Sequence, residues 1–279
     1  MILVISPHLD DAVLSAGGAI AAWTGQGARV VIASVYTKGP QLRRIAPAMR
    51  KFADYDKRCA EDLAACTALG AEVRRLDQIE RAFRPPFLTG WSFFTTPASR
   101  DGFTTLAHVT HALDDAVGGL APERVLIPFG IGNHIDHVEA MLAAIDVATG
   151  RGWLDRVWFY EDFYALSRTM RRAHPVAGQR TWTARKSPLA KARRLAVILR
   201  TIAAARRGPS IETLWPAVLR TARWTLRPLD VRAHEATKLD AIALYPSQTK
   251  AFGGLAGISR AVRAYHALFD GAEPFWVPR

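Results

Sequence analysis

The sequence predicts an α/β protein: a doubly wound, mostly parallel sheet with a basic helical insertion at residues 168–234, all in one domain, 1–279. Three observations predict it. Short apolar runs alternate with helix-length stretches as far as residue 160, the rhythm that lays helices on both faces of a parallel sheet. The length, 279 residues, suits one large α/β domain, and 49% hydrophobic with 22% charged residues is an ordinary globular composition. Charge, by contrast, is uneven. Residues 168–234 hold 16 Lys/Arg against only Glu212 and Asp230, a local balance of +14 in a chain of net charge +12. The remainder is nearly neutral, at −2, so the two parts need separate readings.

Residues 2–5 and 29–35 are apolar runs of buried-strand length. Between them, Ala12 to Trp23 is the longest nearly apolar stretch, shorter than the ~20 residues of a membrane span. Residues 48–69 carry a helical period that Gly70 stops. Residues 72–76, 124–129 and 156–160 read as further strands, with helical segments near 105–118 and 136–149. Residues 77–104, rich in Pro, Thr, Gly and aromatics, read as a long surface loop, and such loops often border ligands. In the basic segment, residues 189–207 put Leu195, Ile198, Leu199 and Ile202 on one helical face. A second helix is expected after Gly208-Pro209-Ser210. Its apolar face is Ile211, Leu214, Trp215, Val218, Leu219 and Ala222, and Pro228 ends it. Cys59 and Cys66 fall two helical turns apart, about 10 Å, too far for a disulfide. With no basic stretch leading into an apolar run at Met1, a cleaved signal peptide is not expected. A reducing cytoplasm is the expected compartment.

In an open α/β sheet, ligands bind at the carboxyl ends of the strands, where strand order reverses. Two strand ends carry clustered chemistry. The first is Ser6-Pro-His8-Leu-Asp10-Asp11, followed by Gly17-Gly18. If a helix starts by Leu9, His8 and Asp11 point toward one spot. Adjacent buried carboxylates are costly without a cation or partners. The ordinary reading of this stretch is an Asp N-cap in a strand–helix turn. The second is Gly130-Ile-Gly-Asn133-His134-Ile-Asp136-His137-Val-Glu139, directly after the strand at 124–129. Alone it too reads as a capped turn. Together, both combining His with Asp and both facing one crevice, they predict a joint metal site. Two histidines and a carboxylate are common ligands of a catalytic zinc with an open water position. A dinucleotide site is poorly supported, because Gly17-Gly18 and Gly130-Ile-Gly are not G-x-G-x-x-G.

Pro-His8-Leu-Asp10-Asp11 with Gly17-Gly18, and His134-Ile-Asp136-His137, resemble the signature pair of the PIG-L/LmbE-like zinc N-deacetylases. Arg58-Cys-Ala-Glu61-Asp62 resembles the family's helix between the motifs, and the stretch from Lys238 to Tyr245-Pro-Ser247-Gln248 its late Ser-Gln motif. The resemblance implies a Rossmann-like fold and hydrolysis of N-acetyl groups on amino sugars. It implies His8, Asp11 and His137 as metal ligands and Asp10 as the general base. It implies His134, protonated, as the group that stabilises the oxyanion and helps the amine leave, with Asp136 holding it. Arg58 resembles a contact to substrate hydroxyls or phosphate; the alternative is a solvated helix residue. Leu9 and Ala12 stand where proline and glutamate are frequent, which marks a distinct subgroup.

His108 and His111, three apart without a carboxylate partner in the pattern, read as ordinary structure. Trp91, Phe93 and Phe94 read as core packing or loop anchoring before a sugar-stacking wall. The basic segment has three readings: a helical hairpin packed on the body, a peripheral membrane contact, or a lid that recruits an anionic ligand. Nucleic acid is not an expected partner, since no recognised module is present. The expected function is a Zn²⁺-dependent N-deacetylase acting on an N-acetyl amino sugar or glycoside of the N-acetylglucosamine kind, in natural-product or glycoconjugate biosynthesis. Other divalent transition metals also suit such ligands. The alternatives are deacetylation of a lipid-linked amino sugar, and a non-catalytic metal-binding interaction module. The set Asp10, His134 and Asp136 argues against the module, because metal binding alone does not need them.

Overall fold

The computed structural model describes residues 1–41, 43, 53–88, 90–179, 210–250 and 253–279. Strands β1 (Ile2–Ser6) and β2 (Val30–Ser34) are buried throughout. Their side chains alternate between faces. Leu3, Ile5, Val31 and Ala33 enter one apolar cluster, and Ile2, Val4, Val30 and Ile32 the other. That two-faced burial is why these strands read as unbroken apolar runs. β3 (Glu72–Arg75), β4 (Arg124–Pro128) and β5 (Val157–Tyr160) continue the parallel part, and β6 (Trp224–Asp230) and β7 (Ala272–Pro278) add an antiparallel pair. The order is β3-β2-β1-β4-β5-β7-β6. Strand order reverses between β1 and β4, which opens a crevice at their carboxyl ends.

Helices cover both faces. α1 (Asp11–Gly25), α2 (Tyr55–Ala68), α3 (Leu106–Val117), α4 (Ile135–Gly150), α5 (Glu235–Ala243) and α6 (Gly254–His266) are the longer ones described. α3 and α4 supply one cluster; α1 and α5, with parts of α2 and α6, supply the other. Asp54 caps α2 by accepting from Lys57 N at 3.2 Å, and Gly70, at φ 71°, ends its run. None of the described helices is long and apolar enough to cross a membrane.

The basic segment corrects one expectation. The helix read at 189–207 lies outside the described residues. The second helix does not form as one. Residues after Ser210 make a 3₁₀ turn (Ile211–Leu214), one helical turn (Ala217–Arg220) and then β6. Ile211, Leu214, Trp215 and Leu219 are buried as their periodicity requires, but Val218 is exposed. Seven register pairs to β7, Trp224↔Pro278 through Asp230↔Ala272, override the helical period. Pro228 is tolerated because β6 is an edge strand. Trp215, one of the residues that fitted a membrane-facing helix, is used inside: it stacks on Phe129 with ring centroids 5.9 Å apart. Arg171 is buried too, held by Glu161 at 2.6 and 2.8 Å.

His174 ties this segment to the sheet. Its Nε2 bonds to Phe129 O at 3.0 Å, while Nδ1 accepts from Val176 N and Ala177 N. Burial pushes its pKa down to about 3, so the ring is neutral in the folded protein. The unfolded chain protonates first, near the usual value of about 6.5, so this residue makes stability fall as pH drops below that point. Denaturant unfolding at about pH 7.5 and about pH 5 checks this: wild type should lose about 2 kcal/mol more than His174→Gln across that interval. Parallel losses would contradict it.

Candidate functional site

The site is assembled from three neighbouring strand ends. After β1, Ser6 Oγ donates to His8 O (2.6 Å) and accepts from Ala12 N (3.0 Å), which staples the turn into α1. Asp10 sits just before the helix and Asp11 in its first turn, where the helix dipole favours negative charge. After β4, Gly130 and Gly132 take φ of 73° and 92°, so the chain turns sharply and α4 starts with His134, Asp136 and His137 over the crevice. After β5 comes Asp162.

Asp11 is the centre. Its Oδ2 lies 2.9 Å from His8 Nδ1 and 3.1 Å from His137 Nε2, and accepts from His8 N at 2.9 Å. Ligand atoms of His8, Asp11 and His137 all fall within 4.8 Å of one another. Donors bound about 2.0–2.2 Å from a tetrahedral zinc sit about 3.3 Å apart. The spacing and donor types therefore fit a divalent metal ion. The far side of His137 agrees: Nδ1 bonds Asp162 Oδ1 at 2.6 Å, and Asp162 accepts from Ile131 N at 2.9 Å. A carboxylate behind a ligand histidine fixes its tautomer and orientation. A second grouping, His8, His134 and Asp136, is also close enough. However, Asp136 already accepts from Arg81 N with both oxygens at 3.1 Å and faces Arg84 at 3.4 Å, so the first set is the better one.

Burial and the adjacent Asp11 push the Asp10 carboxyl up to about 6, against the pull of Arg58 and His8. Burial alone would raise Asp11, yet His137 and His8 hold it well below the usual carboxylate range. Burial works against a proton on His137, but Asp11 and Asp162 hold its pKa up at about 9. Burial, then His137, pushes His134 down to about 3 despite Asp136. The resting His134 is therefore neutral.

The loop expected to border ligands packs against the clustered histidines and carboxylates. Glu80 lies 3.4 Å from His8 Nε2 and accepts from Arg58 at 3.2 Å and from Tyr55. Arg58 is buried over the Tyr55 ring, so it is not a solvated helix residue. Arg84 links the loop to Glu139 at 3.1 Å, and Glu139 also accepts from Tyr36 and Thr105 at 2.6 Å each. Phe93 lies parallel to the His134 ring at 6.1 Å and Phe94 edge-on at 5.6 Å; the Trp91 side chain is outside the described residues. His111 pairs with Asp115 at the surface. Ser247 bonds Glu61, tying the late motif to α2. Sequence reading missed Asp162, Glu80 and the work of Glu139. Asp162 had a signal, as it comes two residues after the strand at 156–160; Glu80, in an irregular loop, had none.

The chain belongs to the PIG-L family: the family model described as GlcNAc-PI de-N-acetylase matches residues 3–148. A 2'-N-acetylparomamine deacetylase from Streptomyces fradiae is 32% identical over 184 residues, covering 64% of this chain and 58% of that protein. The match thus spans less than two thirds of the relative's length. Among solved structures, a deacetylase triple mutant of the teicoplanin biosynthetic pathway aligns at TM-score 0.68 and 20% identity, over 99% of this chain and 96% of its own. The deacetylase of the A40926 pseudoaglycone aligns at TM-score 0.65 and 22% identity, over 100% and 96%. These two likenesses establish the α/β fold across the chain.

Two outcomes follow for metal binding. Ligand histidines must shed protons, so adding zinc at neutral pH should release protons to the buffer, read by calorimetry in buffers of different ionisation enthalpy. Buffer-independent heats would contradict that. Asp162→Asn should weaken zinc affinity about 10–100-fold by chelator competition; unchanged affinity would remove Asp162 from the site.

Proposed function

We propose that the protein is a divalent-metal N-deacetylase that hydrolyses the acetamide of an amino sugar on a small-molecule glycoside, in natural-product biosynthesis. The observation that carries this reading is the buried Asp10 carboxylate beside three convergent donors, His8, Asp11 and His137. A purely structural metal site is closed by four protein ligands; here Asp10, His134 and Asp136 surround the donors in addition. The names of the relatives support the class of substrate: an N-acetylated paromamine in one, an antibiotic pseudoaglycone and the teicoplanin pathway in the others.

The metal held by His8, Asp11 and His137, zinc by default, would polarise the amide carbonyl and activate water. Asp10, with its carboxyl near 6, is matched to accept the proton of the attacking water at neutral pH. His134, neutral at rest, offers an N–H where negative charge develops on the carbonyl oxygen. That charge raises its proton affinity, so it can take up the proton that Asp10 received from the water and pass that proton to the departing amine, returning to its neutral form. Water and amide become acetate and a free amine. Asp136 holds loop residue Arg81 through its backbone N–H, which seals the crevice beside His134. Arg58 and Glu80 are positioned to bind sugar hydroxyls, and Phe93 and Phe94 shield His134 from water. The two free thiols suit a reducing compartment such as the cytoplasm. The inward packing of Trp215 and Leu219 favours a soluble glycoside over a lipid-linked sugar.

Acetate release from a panel of N-acetylated aminoglycosides and glycopeptides tests the reading. Asp10→Ala and His137→Ala should each lower turnover about 10²–10⁴-fold with the far-ultraviolet dichroism unchanged. Wild-type rates surviving either change would overturn the mechanism.

A further inference from the structure

Helix α1, which begins at the catalytic turn, is not continuous. Ala16 leaves the helical region, at φ −123° and ψ 17°, so the first turn, carrying Asp11, meets the rest of the helix at a break. A buried ion pair fills that break. Lys238 reaches across from α5 and donates from Nζ to Ser15 O at 3.3 Å and to Glu273 Oε1 at 2.6 Å. Glu273, on β7, accepts from Gly18 N at 3.0 Å and Ala19 N at 2.8 Å. In a regular helix Ala19 N donates to Ser15 O; here each of the two groups has a charged partner. Glu273 acts as an N-terminal cap within the helix, and Lys238 meets the carbonyl end of the turn before it.

The glycines of the first motif fit this device. A Cβ on Gly18 would lie 2.9 Å from Val231 Cβ and 3.0 Å from Glu273 Oε1, and one on Gly17 3.1 Å from Lys238 Cγ. The other end of the turn is also held, since Tyr245 Oη lies 3.1 Å from Leu9 O. Both charges are about 1% exposed. Well-packed apolar residues often serve stability as well as or better than a buried pair, so stability alone does not call for it.

We propose that Lys238 and Glu273 are positioning residues: they fix the break in α1 at Ala16 and so aim Asp10 and Asp11 at the metal crevice. The proposal rests on the metal-hydrolase reading of that crevice, and it assigns a task to the late motif and to Gly17-Gly18.

The test uses the full chain and four forms. Lys238→Met with Glu273→Gln removes the charges together, leaving neither ion buried alone. Gly18→Ala pushes Glu273 off the break with both charges kept. Val117→Ala, a core cavity in α3, is the control for simple loss of stability. Zinc affinity is read by chelator competition, and kcat and KM on whichever N-acetyl sugar the wild type accepts. Amide hydrogen exchange at residues 9–19 reads the turn directly. The double variant and Gly18→Ala should each weaken zinc binding and lower kcat about 10–100-fold. KM should stay within about twofold, and exchange at 9–19 should quicken about tenfold relative to Val117→Ala. Wild-type exchange rates and zinc affinity in folded double variant or Gly18→Ala would overturn the clip, as would equal losses in Val117→Ala. A wild type without zinc binding or acetate release would strike the functional reading, while the exchange rates still decide the clip.

Discussion

Everything at the carboxyl edge of this sheet follows from one constraint: negative charge concentrated out of water. Asp10 and Asp11 are adjacent and buried at the end of β1, a placement that is costly without compensating charge. Part of the compensation is protein. His8 and His137 bracket Asp11 within 3.1 Å, the start of α1 adds its dipole, and Arg58 lowers Asp10. A divalent cation, as proposed, would supply the remainder. Placing the pair at the reversal of strand order lets β4 and β5 bring His137 and Asp162 to the same point, with no rearrangement of the sheet.

The same constraint sorts the two carboxylates into different tasks. Asp11 is clamped by two histidines and held ionised, the form that the proposed ligand role requires. Asp10 lacks that clamp and is raised to about 6 by burial and by Asp11, which suits the proposed role of base. Loop residues then close the crevice: Glu80 on His8 and Arg58, Arg81 on Asp136, Arg84 on Glu139. The loop thus completes the polar network around the two motifs.

Much of this is legible in the residues. Runs buried on both faces give β1, β2 and β4 away, and His8, Asp11, His134 and His137 announce themselves by pattern at strand ends. What escapes sequence reading is set by tertiary pairing. Residues 211–219 bury four of the apolar positions that a helical period names, Ile211, Leu214, Trp215 and Leu219, but not Val218, and pairing to β7 turns 224–230 into a strand. Asp162 looks like any polar residue after a strand until His137 lies against it. Lys238 and Glu273 are 35 residues apart and meet only in the fold. Burial, then His137, keeps the His134 ring neutral at rest, which no pattern in the sequence announces.

The uneven charge is now partly placed. Arg171 belongs to the core through Glu161, and Trp215 and Leu219 bury the apolar side of the segment. Arg220, Arg223 and Arg227 remain exposed. The central claim concerns one position in space. Anomalous diffraction from crystals grown with zinc tests it most directly. The account predicts a peak about 2.0–2.2 Å from ligand atoms of His8, Asp11 and His137. No peak in the crevice, or one centred on His134 and Asp136, would contradict it.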